Sequence, residues 1–161
     1  QEINNEDVDN LEVCFVYIDN NDVPEMFINN STVDTELEIC YISDDEIKTE
    51  TLSLYGLQYI EKKGLLLERG GNMDSFYDII YRLKNGEKKV IAQGSYGAAD
   101  NSQLEFDENG EPIYEYYWNE QPVSQSQYER NLNRKFNQSL SKMFDEDMMS
   151  IPEAKEEIIN M

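Results

Sequence analysis

The sequence contains no histidine, and this absence limits the chemistry available to the protein. Histidine is the commonest general base, the usual zinc ligand and the central member of a Ser-His-Asp triad. A phosphate-binding loop is also lacking, because Gly70-Gly71 is not followed by the required Lys and Ser or Thr. We therefore expect a non-catalytic protein. A hydrolase that uses carboxylates alone is the remaining enzymatic possibility, and it would need two acids across a cleft.

Cysteine is scarce, with Cys14 and Cys40 the two copies in the chain. Two cysteines are too few for a disulfide scaffold or for a four-cysteine zinc site. Each lies in a predicted strand, so we expect two buried free thiols. One cross-strand disulfide in an exported protein is the alternative that the sequence leaves open.

Basic residues and long apolar runs are also few. The chain has 13 Lys and Arg against 34 Asp and Glu, which gives a formal net charge of -21. Such a field repels phosphates and anionic lipids, so neither nucleic acid nor a membrane surface is expected as a partner. No run approaches the roughly 20 apolar residues of a membrane span. The same field attracts cations and basic proteins, and it also favours solubility.

The chain does contain many short runs of Val, Ile, Tyr, Phe and Leu between frequent turn signals. This rhythm is typical of an antiparallel meander, which we predict across residues 11–118. Lys62-Lys63-Gly64 and Asn85-Gly86 are the strongest hairpin signals. Gly70–Asp74 also predicts a turn, and residues 94–102 predict a loop.

The pattern becomes helical after the meander. Ser124 and Gln127 have the spacing of a capping box, which predicts the start of a helix over residues 124–144. A second, short helix is predicted over residues 151–160, where Ser150 and Glu153 form another cap pair. Six apolar side chains of the first helix fall within roughly 160° of one face. They are Tyr128, Leu132, Phe136, Leu140, Met143 and Phe144.

These elements predict an α+β fold in one domain, residues 1–161. The domain would contain a curved antiparallel meander of about seven to nine strands. The long amphipathic helix would pack on one face of this sheet, and the short terminal helix would follow it. We expect residues 1–10 to be disordered or trimmed, since they are polar and acidic.

One candidate site is the acidic turn, residues 19–25. Calcium is held by six to eight oxygen ligands, often from Asp and Asn at alternate positions with a carboxylate further on. Asp19, Asn21, Asp22 and Glu25 have this chemistry and are the predicted calcium ligands. The alternative is a tight turn whose Asp and Asn side chains accept hydrogen bonds from nearby backbone amides.

A second candidate site is an aromatic strand near residue 116. Strand alternation puts Tyr114, Tyr116 and Trp118 on one face. Exposed aromatic side chains can stack on sugar rings or fill a pocket of a partner, so these three are candidate ligand-binding residues. The alternative is that this face forms the core beneath the predicted helix.

Two segments carry a resemblance to other proteins. Tyr17-Ile18-Asp19-Asn20-Asn21-Asp22-Val23-Pro24-Glu25-Met26 resembles a strand followed by D-x-D-G-D-G-x-P-E-L, with Tyr17 in place of the first Asp and Asp22 in place of a Gly. Tyr116-Tyr117-Trp118-Asn119-Glu120-Gln121-Pro122-Val123-Ser124, followed by Tyr128, is similar to an aromatic strand, a turn and V-S-x-x-x-Y opening a helix. Both patterns are found in a class of exported domains and lipoproteins of Gram-positive anaerobes whose activity is undefined. The resemblance covers the two ends of the predicted sheet, and it implies an exported or surface-anchored protein.

The leading functional hypothesis is a non-catalytic extracytoplasmic module, secreted or lipid-anchored. Its partner would be a surface protein or a glycan, and calcium would bind weakly in the acidic turn. The alternative is an intracellular acidic inhibitor that imitates nucleic acid and occupies a basic groove.

Overall fold

The computed structural model describes residues 11–30, 36–43, 46–53, 56–100, 102, 104–144 and 148–160. The expectation of disorder or trimming for residues 1–10 lies outside these ranges. Within them, strands dominate and two helices are present.

The strands form two antiparallel sheets. The five-stranded sheet contains β1 (Leu11–Val16), β2 (Glu25–Asn30), β3 (Glu36–Ser43), β4 (Glu46–Ser53) and β12 (Met149–Ser150). Its strand order is β12-β1-β2-β3-β4. The seven-stranded sheet contains β5 (Gln58–Ile60), β6 (Leu65–Asn72), β7 (Ser75–Lys84), β8 (Glu87–Gly97), β9 (Glu115–Trp118), β10 (Gln121–Val123) and β11 (Lys142–Met143). Its strand order is β10-β9-β8-β7-β6-β5-β11.

The predicted α+β fold, with one meander under one long helix, is therefore wrong. The described chain is mostly β, with sheets of five and seven strands and two short helices. The physical reason lies in β5 and β6, which are buried on both faces. Tyr59 and Leu66 belong to one core cluster, whereas their neighbours Ile60 and Leu67 belong to another. The seven-stranded sheet is thus a middle layer, covered on both sides.

Two hydrophobic clusters separate the three layers. The first lies between the sheets, and its buried members are Cys14, Val16, Ile18, Phe27, Leu37, Ile39, Tyr41, Leu52, Leu57, Tyr59, Leu66, Leu83 and Phe144. The second lies between the seven-stranded sheet and the first helix, and its buried members are Ile60, Leu67, Ile80, Ala92, Trp118, Tyr128, Leu132 and Phe136. The helix thus covers the face of the middle sheet opposite to the five-stranded sheet.

The first helix, α1, spans Gln125–Lys135, and the predicted capping box at its start is confirmed. The hydroxyl of Ser124 accepts a hydrogen bond from the amide of Gln127 at 3.3 Å, and Gln127 Oε1 accepts one from the amide of Ser124 at 3.0 Å. Tyr128 and Leu132 are the buried residues of the helix. Two backbone amides at the helix start are satisfied in this way, which fixes where α1 begins.

The helix ends earlier than the predicted residue 144. Phe136 is extended, and Asn137 Oδ1 accepts a hydrogen bond from the amide of Ser139 at 3.2 Å. This local bond opens a 3-10 turn over Gln138–Leu140 and competes with continuation of the α-helix. Leu140 was predicted on the buried face, but it is 58% exposed because the helical period no longer applies there.

The chain after α1 returns to both sheets. β11 pairs with β5, and β12 pairs with β1. Phe144, between these two strands, packs its ring 4.0 Å from that of Phe27 and 4.7 Å from that of Tyr59, measured between centroids. One short C-terminal segment therefore adds a strand to each sheet and a large side chain to the core between them.

The predicted short helix over residues 151–160 is confirmed as α2, Ile151–Asn160. Its cap pair also forms, because the amide and hydroxyl of Ser150 donate to Glu153 Oε2 at 2.9 and 2.6 Å. Ala154 is the buried side chain of this helix, 4% exposed. Within the described ranges, neither helix has the length and apolar content required to cross a bilayer.

The predicted hairpins at Lys62-Lys63-Gly64 and Asn85-Gly86 are confirmed. Asn85 and Gly86 have φ of 53° and 70°, as a two-residue turn with both central residues at positive φ requires. The turn predicted over Gly70–Asp74 is confirmed at Met73-Asp74, whereas Gly70 and Gly71 themselves lie in β6. The loop predicted over residues 94–102 is wrong for its first four residues, which extend β8.

Cys14 and Cys40 are buried free thiols, as expected. They lie on β1 and β3, which both pair with β2 and not with each other. Cys14 belongs to the core between the sheets, whereas Cys40 alternates with Ile39 and Tyr41 of that core and so lies on the other face. The cross-strand disulfide is therefore excluded in this structure.

Candidate functional site

Three aromatic side chains form a row across the seven-stranded sheet. Phe76 on β7 lies opposite Tyr96 on β8, which lies opposite Tyr116 on β9. The Phe76 and Tyr96 rings are stacked with centroids 5.1 Å apart, and the Tyr96 and Tyr116 rings are stacked at 5.5 Å. All three side chains are half-buried. We call Phe76, Tyr96 and Tyr116 the aromatic row.

The row continues into the core through Tyr128 of α1. Its ring lies edge-on to those of Tyr96, Tyr116 and Trp118, with centroids 5.6, 5.5 and 5.5 Å away. This position depends on Gly94, because a Cβ there would lie 2.6 Å from Cε2 of Tyr128. The lack of a side chain at Gly94 on β8 therefore leaves the space in which the Tyr128 ring of α1 packs on the sheet.

A buried polar cluster lies beside the aromatic row. Asp78 on β7 is 4% exposed, and its two carboxylate oxygens have separate partners. Tyr128 donates its hydroxyl to Asp78 Oδ2 at 2.6 Å, and Arg69 Nε donates to Asp78 Oδ1 at 2.8 Å. Burial raises the pKa of Tyr128, and the hydrogen bond and charge of Asp78 add to this effect. The phenol thus stays protonated as a donor, and Arg69, Asp78 and Tyr128 hold one another in place.

A cavity of about 660 Å³ lies between α1 and this part of the sheet. The sheet side contributes the aromatic row, Arg69, Asp78, Gly56, Gly70 and Tyr77, and α1 contributes Tyr128 of the polar cluster. The helix side contributes Gln125, Glu129, Leu132 and Asn133, and Gln138 follows from the 3-10 turn. We call this cavity the aromatic groove. Its volume is in the range of small-ligand sites, and it combines aromatic walls with a few fixed polar groups.

The three predicted ligand-binding residues fall in different places. Tyr116 lines the groove. Tyr114 lies at its border, 6.1 Å from the Phe76 and Tyr96 rings, and a hydrogen bond to Asp74 at 2.7 Å raises the pKa of Tyr114 to about 12. Trp118 is buried beneath α1 in the core. The same strand face is therefore core at one end and groove wall at the other.

In the acidic turn, the side chains accept hydrogen bonds from backbone amides. Asp19 Oδ1 accepts one from the amide of Asn21 at 2.9 Å, and Asn21 Oδ1 accepts one from Val23 at 2.7 Å. Asp19 Oδ2 accepts one from the amide of Asn85 at 3.2 Å, which links the turn to a hairpin of the other sheet. This arrangement is the backbone-bonded turn that the sequence offered as the alternative to a calcium site.

Glu25, the last residue of the acidic turn, binds back to the backbone that precedes the turn. Its side chain is buried, 4% exposed, and Oε2 accepts a hydrogen bond from the amide of Ile18 at 2.8 Å. Burial raises the pKa of Glu25 to about 7; the Ile18 amide opposes this shift and the charge of Asp19 adds to it. Among the described residues, no three His, Cys, Asp or Glu side chains come together as metal ligands would. Calcium binding by Asp19, Asn21, Asp22 and Glu25 stays a prediction.

The aromatic groove is thus the place where the described residues combine shape, aromatic surface and fixed hydrogen-bonding groups. The acidic turn joins the two sheets, and Asp19, Asn21 and Glu25 each accept a hydrogen bond from a backbone amide. Comparison of this chain with protein-family models, curated proteins and solved structures gave no match.

Proposed function

We propose that the protein is a non-catalytic binding module whose ligand occupies the aromatic groove. The observation that supports this most is the arrangement around Asp78, where Arg69 and Tyr128 fix a buried carboxylate next to three half-buried rings. Groups held in place before binding lose little conformational freedom when a ligand arrives. The groove is therefore suited to recognition without any rearrangement of the fold.

We further propose that the module works outside the cytoplasm, as a secreted or lipid-anchored protein that binds a surface protein or a glycan. The resemblance of residues 17–26 and 116–128 to exported domains of Gram-positive anaerobes supports this compartment. The coding sequence upstream of Gln1 tests it. A signal sequence or lipobox there would support export, whereas a reading frame without one would favour the acidic inhibitor that imitates nucleic acid.

The groove can be tested by co-sedimentation with purified Gram-positive cell walls. We expect the wild-type protein to sediment with the walls and Tyr116→Ala to lose at least about tenfold in affinity, because an aromatic side chain at the centre of a binding site contributes strongly. Tyr117→Ala is the matched control. Tyr117 is the next residue on β9 but faces away from the groove and is exposed, so its removal should leave sedimentation unchanged.

Three outcomes separate the possibilities. Equal sedimentation of wild type and Tyr116→Ala would mean that the ligand binds elsewhere. No sedimentation of the wild type would contradict a wall ligand. Binding of a basic protein such as protamine that weakens steeply with salt, and is the same in both tyrosine variants, would favour the nucleic-acid imitation.

A further inference from the structure

We propose that the ligand of the aromatic groove is an uncharged carbohydrate, an inference that rests on the binding function proposed above. It follows from three properties of the groove: the chemistry of its walls, the polar groups at its rim and its local charge.

The walls fit a sugar ring. A pyranose has C–H groups on its two faces and hydroxyls around its edge, so it packs its apolar surface against aromatic side chains and directs its hydroxyls sideways. The aromatic row lines the groove with apolar ring surface that is half-exposed before any ligand binds. Burial raises the pKa values of Tyr96 and Tyr116, so their phenols stay neutral and can donate hydrogen bonds.

The rim of the groove supplies side-chain amides as hydrogen-bonding groups. Gln125 and Asn133 line the groove from the exposed surface of α1, and Gln138 lines it from the turn that follows. Each amide offers both donors and an acceptor, which matches hydroxyls that donate and accept at the same time. Arg69, whose side chain is 34% exposed, borders the groove while its Nε is held by Asp78.

The charge in the groove favours a neutral ligand. Among the described residues that line it, Arg69, Asp78 and Glu129 are charged, and Arg69 and Asp78 form an ion pair at 2.8 Å. An anionic sugar would be repelled by the net charge of -21. A cationic peptide would be attracted to the acidic surface as a whole. Among the described lining residues, however, Glu129 is the one carboxylate outside the Arg69–Asp78 ion pair, and its Oε1 already accepts a hydrogen bond from Gln125 Nε2 at 3.1 Å. A neutral sugar needs no charged partner and meets no repulsion.

Calorimetric titration with defined probes tests the inference. The neutral probes are cellohexaose, xylohexaose and chitohexaose, the anionic probe is hexagalacturonate, and the basic probe is hexalysine. We expect at least one neutral oligosaccharide to bind, with an affinity that changes less than about twofold between about 0.05 and about 0.5 M salt, since no ion pair forms. Tyr116→Ala and Asn133→Ala should each weaken it, by at least about tenfold for the tyrosine.

Asn133→Ala distinguishes a loss of binding from a loss of folding, because the side chain of Asn133 is exposed on the helix and its removal leaves the core intact. Tyr117→Ala is again the control and should bind as the wild type does. If hexalysine binds and Tyr116→Ala abolishes that binding, while no neutral probe binds, the groove remains a binding site but the carbohydrate inference fails. If neutral probes bind equally to wild type, Tyr116→Ala and Asn133→Ala, the inference fails as well. If no probe binds and cell walls are not retained either, both proposals fail together.

Discussion

Replacing Glu25 by Gln should change how the stability of the protein depends on pH. The carboxyl is 4% exposed, and its pKa rises from 4.5 to about 7 in the folded protein. Between these values the folded state keeps the proton and the unfolded state releases it. Unfolding is therefore favoured as pH rises from 4.5 to 7, and the stabilising contribution of the protonated Glu25 is lost across that window.

The magnitude follows from the shift. One pKa unit corresponds to about 1.4 kcal/mol, so ionisation of Glu25 in the folded protein costs about 3 kcal/mol by pH 8. Gln imitates the protonated acid in shape, does not titrate, and can still accept the hydrogen bond from the amide of Ile18. We expect Glu25→Gln to exceed the wild type in free energy of unfolding by about 1 kcal/mol at pH 5 and by about 3 kcal/mol at pH 8.

Urea denaturation at pH 5, 6, 7 and 8, followed by circular dichroism, measures this difference. Asp22→Asn is the matched control, because Asp22 lies in the same acidic turn, carries the same charge and is exposed. That variant should parallel the wild type within about 0.5 kcal/mol at every pH. A Glu25→Gln curve that also runs parallel to the wild type would refute the reasoning, since Glu25 would then titrate in the folded protein as it does in the unfolded chain.

Three further predictions concern the groove, the core and calcium. Tyr128→Phe removes the hydroxyl that donates to Asp78 and should lower the free energy of unfolding, measured in urea titrations, by about 1–3 kcal/mol. Tyr117→Phe, on the exposed face, should change it by less than about 0.5 kcal/mol. Phe144→Ala should lower the free energy of unfolding by about 3–5 kcal/mol because it leaves a cavity between the sheets, whereas Leu140→Ala, at an exposed position, should lower it by less than about 0.5 kcal/mol. Similar losses in both variants would contradict the described position of the C-terminal segment. Millimolar calcium should raise the melting temperature if Asp19, Asn21, Asp22 and Glu25 bind it as predicted. An unchanged melting temperature would contradict that prediction and leave the backbone hydrogen bonds as the role of these side chains.

The features that the sequence predicted well are local ones. The capping box depends on Ser124 and Gln127, three positions apart, and the hairpin depends on Asn85 and Gly86, which tolerate positive φ. In each case the interacting groups lie within a few residues of one another. Their geometry is thus largely independent of the rest of the fold.

The aromatic row could not be found in this way, because it depends on strand register over a long hairpin. Continuing the register set by Lys84 and Glu87 would place Phe76 opposite Ser95. An irregularity between Ile80 and Tyr81 shifts the register by one residue, which places Phe76 opposite Tyr96 instead. Because side chains alternate between the two faces of a strand, a register shift of one residue changes which side chains lie together on a face. The sequence carries no clear signal for the irregularity that causes this shift.

The division into two sheets did have a signal in the sequence. Tyr59-Ile60 and Leu65-Leu66-Leu67 are apolar without alternation, which is typical of strands buried on both faces. A meander with one face in water needs alternating polar positions. These short runs thus indicated a covered middle layer, although they did not indicate which segments would cover it.

The return of the chain to both sheets has a consequence for how the protein is made. The edge partners of β5 and β1 are supplied by Lys142–Met143 and Met149–Ser150, and Phe144 enters the space between the layers from the same segment. A growing chain on the ribosome cannot complete the seven-stranded sheet before residue 143 has emerged, or the five-stranded sheet before residue 150. Until then the edge strands β5 and β1 lack these hydrogen-bonding partners, and assistance from chaperones is most needed at that stage of synthesis.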